Sequence, residues 1–343
     1  MIGRRGVGVG SVVLAGLASV LAAAAGEVGA GRPVTRIVYD DFSGPDYGLD
    51  EYLTKWNNGF GAGEMAVEDT RSFDQSSFDV SALPFRTAAD FSVFDHIKYL
   101  ALSNESFVVP DKGSVTFSAT IDATVIGTSA AGRTIHGVYG PPGCADDAEC
   151  ADGRAPWQGV ALEGQQAGAT LHMIDFATGQ LFDWFVSGST AFALVERLPA
   201  SVVGSPAAGT RQTMYTQIVK EVPIAPGPHT VAITFFRDRG KSYVDFLLDG
   251  ARVARIEKVG VPLDVQRVRY TGTYPSLGPG EQLADQIDRV TIGHGLFSLL
   301  DAFPFQHPDA PELSVSIPIS ERIWGQGAAA TFDDFVVTID DRS

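Results

Sequence analysis

Residues 243–256 read Tyr243-Val244-Asp245-Phe246-Leu247-Leu248-Asp249-Gly250-Ala251-Arg252-Val253-Ala254-Arg255-Ile256. Two runs of alternating character, Tyr243–Leu248 and Arg252–Ile256, flank Asp249-Gly250. Alternation at period two marks a strand with one face buried. Asp-Gly is a preferred pair for the tight turn that joins two such strands, because that turn needs positive φ. The stretch predicts an antiparallel hairpin.

Working outward, the same pattern recurs at Ser114–Ile126, Ala169–Phe176, Leu181–Val186, Phe192–Leu198, Thr213–Val222 and His229–Phe236. Clusters of Gly, Pro, Asp and Ser separate these runs, and no long amphipathic helix competes with them. Short helical turns are expected near Leu49–Lys55 and Gly280–Gln286. The Gly/Pro-rich patches Gly140–Pro156 and Val203–Thr210 read as long loops, and no repeat or Pro/Ser/Thr-rich linker divides the chain. The expectation is an all-β, antiparallel β-sandwich, in one domain over residues 34–343.

The first thirty residues stand outside that domain. Arg4 and Arg5 precede an apolar stretch, Ser11–Ala25, that ends in small residues. This is the order of a secretory signal peptide, with cleavage expected after Ala25 or Ala30. The stretch is short for a membrane span, which takes about 20 apolar residues. A secreted, extracellular protein of about 310 residues is the expectation. In that setting Cys144 and Cys150, the two cysteines, read as a short-range disulfide. Asp and Glu number 41 against 25 Lys and Arg. A surface with that balance repels a polyanion, which argues against a nucleic-acid partner.

Three pieces resemble the concanavalin A-like lectin/glucanase superfamily. One is Val38-Tyr39-Asp40-Asp41-Phe42-Ser43-Gly44 followed by Leu53-Thr54-Lys55-Trp56-Asn57; another is Gly227–Ile233 leading into Tyr243–Gly250; the third is Thr331-Phe332-Asp333-Asp334-Phe335-Val336-Val337. Together they cover roughly a quarter of the chain and mark scaffold, not chemistry. The resemblance implies a jelly-roll sandwich whose first and last strands lie side by side, and a glycan or polysaccharide as partner. Glycosidases of the laminarinase and lichenase type in that superfamily carry Glu-x-Asp-x-Glu or Glu-x-Asp-x-x-Glu on one strand. Here no Glu is followed two positions later by Asp. A retaining glycosidase needs two carboxyl groups about 5–5.5 Å apart, so any such pair must come from elsewhere.

The middle of the chain, Gly168–Val186, reads as a hairpin turning at Thr178-Gly179. Pairing Phe176 with Leu181 sets Asp175 opposite Phe182, with Trp184, Leu171 and Met173 on the same face. His172, Ile174, Asp183 and Phe185 then share the other face. Two readings stand. Trp184 and Phe182 offer a stacking platform to a sugar while Asp175, Asp183 and His172 do acid–base work, or the aromatics fill the core. Glu163 and Glu196, read as lying on neighbouring strands, complete the candidate carboxylates, with Glu196 also a candidate substrate contact. The stretch His294–Asp309, with His294 and His307 among three Phe, reads either as a cleft wall or as a packed cap. Glu321, Arg322 and Trp324 join either role.

No zinc spacing, Gly-x-Ser-x-Gly, phosphate loop or dinucleotide fingerprint is present. No cofactor is expected, although Asp146, Asp147, Glu149 and Asp152 are the kind of oxygen donors that suit Ca²⁺. Three functions remain: glycan binding, glycan cleavage by a non-standard carboxylate/His set in a hydrolase or lyase, and a secreted structural or interaction protein with no carbohydrate ligand.

Overall fold

The computed structural model describes residues 34–58, 70–74, 76–85, 96–129, 131–140, 144, 153–164, 166–198, 215–259, 281–283, 287–299, 312, 314–321 and 323–343. The strands of its first half are β1 (Val34–Asp40), β2 (Trp56–Asn58), β3 (Thr70–Phe73), β4 (Phe78–Ala82), β5 (Ile97–Ser103), β6 (Phe107–Val108), β7 (Gly113–Ile126), β8 (Arg133–Tyr139), β9 (Trp157–Ala161) and β10 (Gly168–Asp175). They continue as β11 (Gln180–Ser187), β12 (Thr190–Arg197), β13 (Tyr215–Pro223), β14 (His229–Asp238), β15 (Lys241–Leu248), β16 (Ala251–Ile256), β17 (Lys258–Val259), β18 (Glu281–Gln282), β19 (Arg289–Phe297), β20 (Val315–Ser316) and β21 (Gly327–Asp341). One short helix, α1 (Leu49–Lys55), precedes β2.

Two eight-stranded antiparallel sheets make up the sandwich, and β17-β18 and β20-β8-β9 form two small ones beside them. Sheet I runs β16-β15-β14-β7-β21-β4-β3 with β1 also on β21, and sheet II runs β13-β12-β11-β10-β19-β5-β2 with β6 on β19. Phe78, Phe117, Phe235, Phe246, Phe332 and Phe335 from sheet I meet Trp56, Leu171, Phe182 and Trp184 from sheet II in one buried cluster. This is the expected all-β, antiparallel β-sandwich. Sheet I alternates buried and half-exposed positions along β7, whereas β10, β11 and β12 are buried at every position. A second apolar cluster, including Ile174, Leu181, Phe185, Phe192, Leu194 and Phe297, covers the other face of sheet II.

The hairpin at Asp249-Gly250 forms as expected, with φ of 49° and 77° at its two central residues. Arg239-Gly240 builds the same turn between β14 and β15, at φ of 51° and 75°. Helix α1 forms where a helical turn was expected, with Asp50 and Glu51 in its first turn and Lys55 in its last, each matching the helix dipole. Residues Glu281–Gln282, expected in a helical turn, instead pair with Lys258–Val259 as a small ladder.

Both end motifs are scaffold. The Asp40 carboxylate is buried and accepts from Trp56 Nε1 (2.7 Å), Tyr47 Oη (2.6 Å), Lys55 Nζ (2.9 Å) and the Phe42 amide (3.1 Å). It thereby ties the end of β1 to α1 and β2. β1 lies against β21 with Val34 opposite Asp340, so the first and last strands are neighbours. Asp334, at φ 54°, forms the bulge that lets Phe332 and Phe335 both enter the core.

Candidate functional site

The β10–β11 hairpin keeps the expected faces but not the expected register. Asp175 pairs with Gln180 and Met173 with Phe182, two residues away from a pairing of Phe176 with Leu181. The cause is Asp175 itself. Its carboxylate accepts from the Ala177 amide (3.0 Å), the Thr178 amide (2.9 Å) and the Thr178 hydroxyl, and its carbonyl accepts from Gly179 N (2.9 Å). A four-residue turn closed by Asp175 therefore replaces the two-residue turn. A shift of two leaves every side chain on its original face.

On the face of sheet II turned away from sheet I, the pairing assembles a polar row across four strands. Thr170 Oγ1 and His172 Nε2 share a hydrogen bond of 2.7 Å, and His172 Nδ1 and Asp183 Oδ1 one of 2.6 Å. Glu196 lies diagonally beyond Asp183, because it pairs with Leu181, and accepts from Thr216 Oγ1 at 2.7 Å. His172 sits opposite Gly293, and its ring lies 4.9 Å from that of Phe297. A Cβ on Gly295 would come within 2.1 Å of the Tyr99 carbonyl, so only glycine passes there. Exposure of His172, Asp183 and Glu196 is 2 %, 1 % and 7 %.

Burial sets the charge of this row. It lowers His172 to about 4 and raises Asp183 well above the usual carboxylate range. Glu196 is raised to about 8, by burial first and by the neighbouring Asp183 second. The 2.6 Å contact between His172 and Asp183 is a fully buried hydrogen bond, and removal from water works against charge on either partner. Glu196 and Asp183 also share a side-chain hydrogen bond, which a protonated Glu196 donates. Two carboxyl groups so close titrate as a pair.

The other candidates are dispersed. Trp184 and Phe182 are fully buried between the sheets, and Trp184 Nε1 donates to the Ala232 carbonyl at 2.9 Å, so neither ring offers a face to a sugar. His294 is also in the inter-sheet core, ringed by Trp56, Phe78, Phe332 and Phe335. Its Nε2 shares a 2.9 Å hydrogen bond with Tyr52 Oη, its Nδ1 has no partner, and burial lowers its pKa well below the usual value. Glu163, expected on a strand, stands exposed in the turn between β9 and β10. Cys144 is buried, and no cysteine is free among the described residues. Cys150, His307, Arg322 and the acidic residues Asp146, Asp147, Glu149 and Asp152 lie outside the described residues. Among the described residues no three His, Cys, Asp or Glu side chains are placed to hold a metal ion, and no helix is long and apolar enough to cross a membrane.

Trp324 is the exception among the aromatic candidates. At 53 % exposure, it is the one aromatic among the large exposed apolar residues described. It lines an open groove of about 660 Å³ with Ile323, Gly127, Gly132 and Arg133, a volume within the range of about 300–1,000 Å³ usual for ligand sites. Behind the groove is a small sheet, β20-β8-β9. Glu321 Oε2 accepts from the His136 amide (3.2 Å) and lies 3.9 Å from Arg133 Nη2. Sequence reading singled out neither Arg133 nor His136, because the groove joins segments nearly 200 residues apart. Thr170 carried a usable signal, since Thr170-Leu171-His172 places both polar groups on one face of a strand.

No curated protein matches the chain. Several solved structures are similar to it. An endo-1,3-beta-glucanase from Streptomyces sioyaensis shares 9 % identity over 89 % of this chain and 96 % of its own, with a TM-score of 0.36. The kappa-carrageenase from Pseudoalteromonas carrageenovora shares 10 % over 92 % and 99 %, at 0.37. The carbohydrate recognition domain of Emp46p shares 8 % over 89 % and 97 %, at 0.32. At such identities and scores these likenesses say nothing of activity, and the fold rests on the chain's own two sheets. Residues 160–341, just over half of the chain, match the model of a family of unknown function, DUF6081, and the chain belongs to that family.

Proposed function

We propose that this chain is a secreted, single-domain glycan-binding protein that holds a saccharide in the groove beside Trp324. The exposed indole carries the reading. A ring with an open face can stack on the apolar face of a pyranose, and the neighbouring glycines keep the groove clear. The charged, apolar and small-residue order of residues 1–30 supports export, and a Cys144–Cys150 disulfide within the domain of residues 34–343 accords with it. The test is a thermal-shift and affinity-electrophoresis screen of the mature protein against polysaccharides, with and without calcium. Retardation by at least one polymer that is lost in Trp324→Ala is expected. Silence across the panel would favour a structural or interaction protein with no carbohydrate ligand.

The polar row supports a second reading, cleavage of the glycan. A neutral Glu196 beside Asp183 has the protonation of a general acid near pH 7. If the row is catalytic, new reducing ends or unsaturated sugars appear, and Glu196→Gln and Asp183→Asn each abolish them without affecting retardation by the polymer. An absence of products from every polymer that binds would reject this reading.

A further inference from the structure

We propose that the Trp324 groove selects acidic glycans, with the Arg133 guanidinium holding an oxyanion carried on the sugar that stacks against the indole. The inference rests on the glycan-binding reading and specifies its ligand.

Glu321 and Arg133 are unequally engaged. Arg133 opens β8, and its side chain lines the groove with Trp324. Its contact with Glu321 is 3.9 Å from Nη2 to Oε2, too long for a hydrogen bond. That same Oε2 already accepts the His136 amide and stands 3.7 Å from His136 Nδ1. The Glu321 side chain is also the more covered of the two, at 24 % exposure against 39 % for Arg133. A guanidinium has five donors in a planar fork matched to a carboxylate or sulfate. Among the described residues Arg133 makes that one long ionic contact, which leaves its fork for a ligand at the edge of the groove.

The groove's walls leave room for a ring next to that charge. Gly132 precedes Arg133 at φ 77°, and a Cβ there would meet nothing within 4 Å. Gly127, at φ 67°, packs against the backbone of Gly325 so closely that a Cβ would come within 2.5 Å of its carbonyl oxygen. Gly127, Ser129, Ala131 and Gly132 line the same groove as the indole and the cation and bring only small side chains to it. A neutral sugar would use the indole alone; an acidic one would use both.

The charge of the whole chain sharpens the inference. A protein with a formal net charge of −16 repels polyanions at long range. Retention of an acidic polymer must therefore come from a local site, and it must weaken with salt.

The probes are polygalacturonate, its methyl ester, dextran sulfate and dextran, tested by affinity electrophoresis and calorimetry on the mature protein. Binding of at least one acidic polymer is expected, at least tenfold tighter than its neutral counterpart and weakened by salt. Arg133→Gln should remove that preference, and Arg133→Lys should restore part of it. Which acidic polymer binds more tightly assigns the oxyanion to carboxylate or sulfate. Equal affinity for acidic and neutral polymers, or an Arg133→Gln variant that keeps the preference, overturns the inference and leaves glycan binding standing if Trp324→Ala still abolishes retention. Failure of both acidic probes while another polymer of the panel binds also overturns the inference alone. No retention of any polymer overturns both. Both side chains are too exposed to be part of the core, and a melting curve for each variant establishes that it folds.

Discussion

The indole Nε1 of Trp184 donates to the main-chain carbonyl of Ala232 at 2.9 Å, so the largest side chain at the centre of sheet II is fastened to the backbone of sheet I. The bond crosses the sandwich where the ring also meets Phe246 edge-on, at 6.0 Å between centroids. Trp184→Ala should cost about 3–5 kcal/mol. Trp184→Phe keeps most of the apolar area and loses only the bond to Ala232, a residue already paired in the β14 ladders, for about 0.5–1.5 kcal/mol. Denaturant unfolding measures both, and a cost below 1 kcal/mol for alanine would show that the ring does not pack as described.

Asp40 is expected to be as critical to stability. Asp40→Ala leaves the Trp56 indole, the Tyr47 hydroxyl and the Phe42 amide without their acceptor, a loss on the order of 3 kcal/mol. Lys55→Ala should cost far less, because the ammonium is partly in water and its pairing is screened. Comparable melting temperatures for the two variants would contradict this ordering.

Stability should fall as pH rises from 6.5 to 8. Glu196 keeps its proton in the folded state up to about 8, while the unfolded chain releases it near 4.5, so raising the pH across that window favours unfolding. His172 acts in the opposite sense. Its folded value of about 4 lies below 6.5, so stability is lost as pH falls through 6.5 toward 4. The two effects oppose each other between 4.5 and 6.5, leaving the decline above 6.5 to the carboxyl pair. Urea unfolding across pH 5–8 would record the slope, and Glu196→Gln should flatten it. An unchanged slope in that variant assigns the decline to other groups.

Turn chemistry gives a fourth outcome. Gly240→Ala and Gly250→Ala each force an alanine into the left-handed region, although nothing blocks the added methyl. Each should cost about 1–2 kcal/mol from backbone strain alone, read from chemical denaturation. Additive losses in the double variant would show that the two turns act independently.

How far the fold could be read in advance depended on which faces met water. β15 and β16 announce themselves because their outer faces are solvated, so polar and apolar residues alternate. β10, β11 and β12 are buried on both faces, and alternation there loses its meaning. His172, Asp183 and Glu196 were recognisable as titratable residues on strands. Their meeting in one row depends on strand pairing that no local pattern states. The hairpin register departs from the expected one because Asp175 closes the turn with its side chain, a choice that the Thr178-Gly179 pair conceals. Trp324 stood out by residue type, but Arg133 had no local signal, since its relation to Trp324 exists only after β8 and the segment following β20 come together.

The pairing of Val34 with Asp340 has a topological consequence. Two backbone positions more than 300 residues apart in sequence are adjacent across one ladder, so a short linker could join them without crossing the sandwich. Opening the chain at Asp249-Gly250, an exposed tip, would then give a circular permutant with the same two sheets and the same inter-sheet core. In such a molecule the order of synthesis changes while the adjacency of strands does not. Its folding rate, set beside that of the original chain, would reveal whether β1 docks early onto β21 or only closes a sandwich already formed.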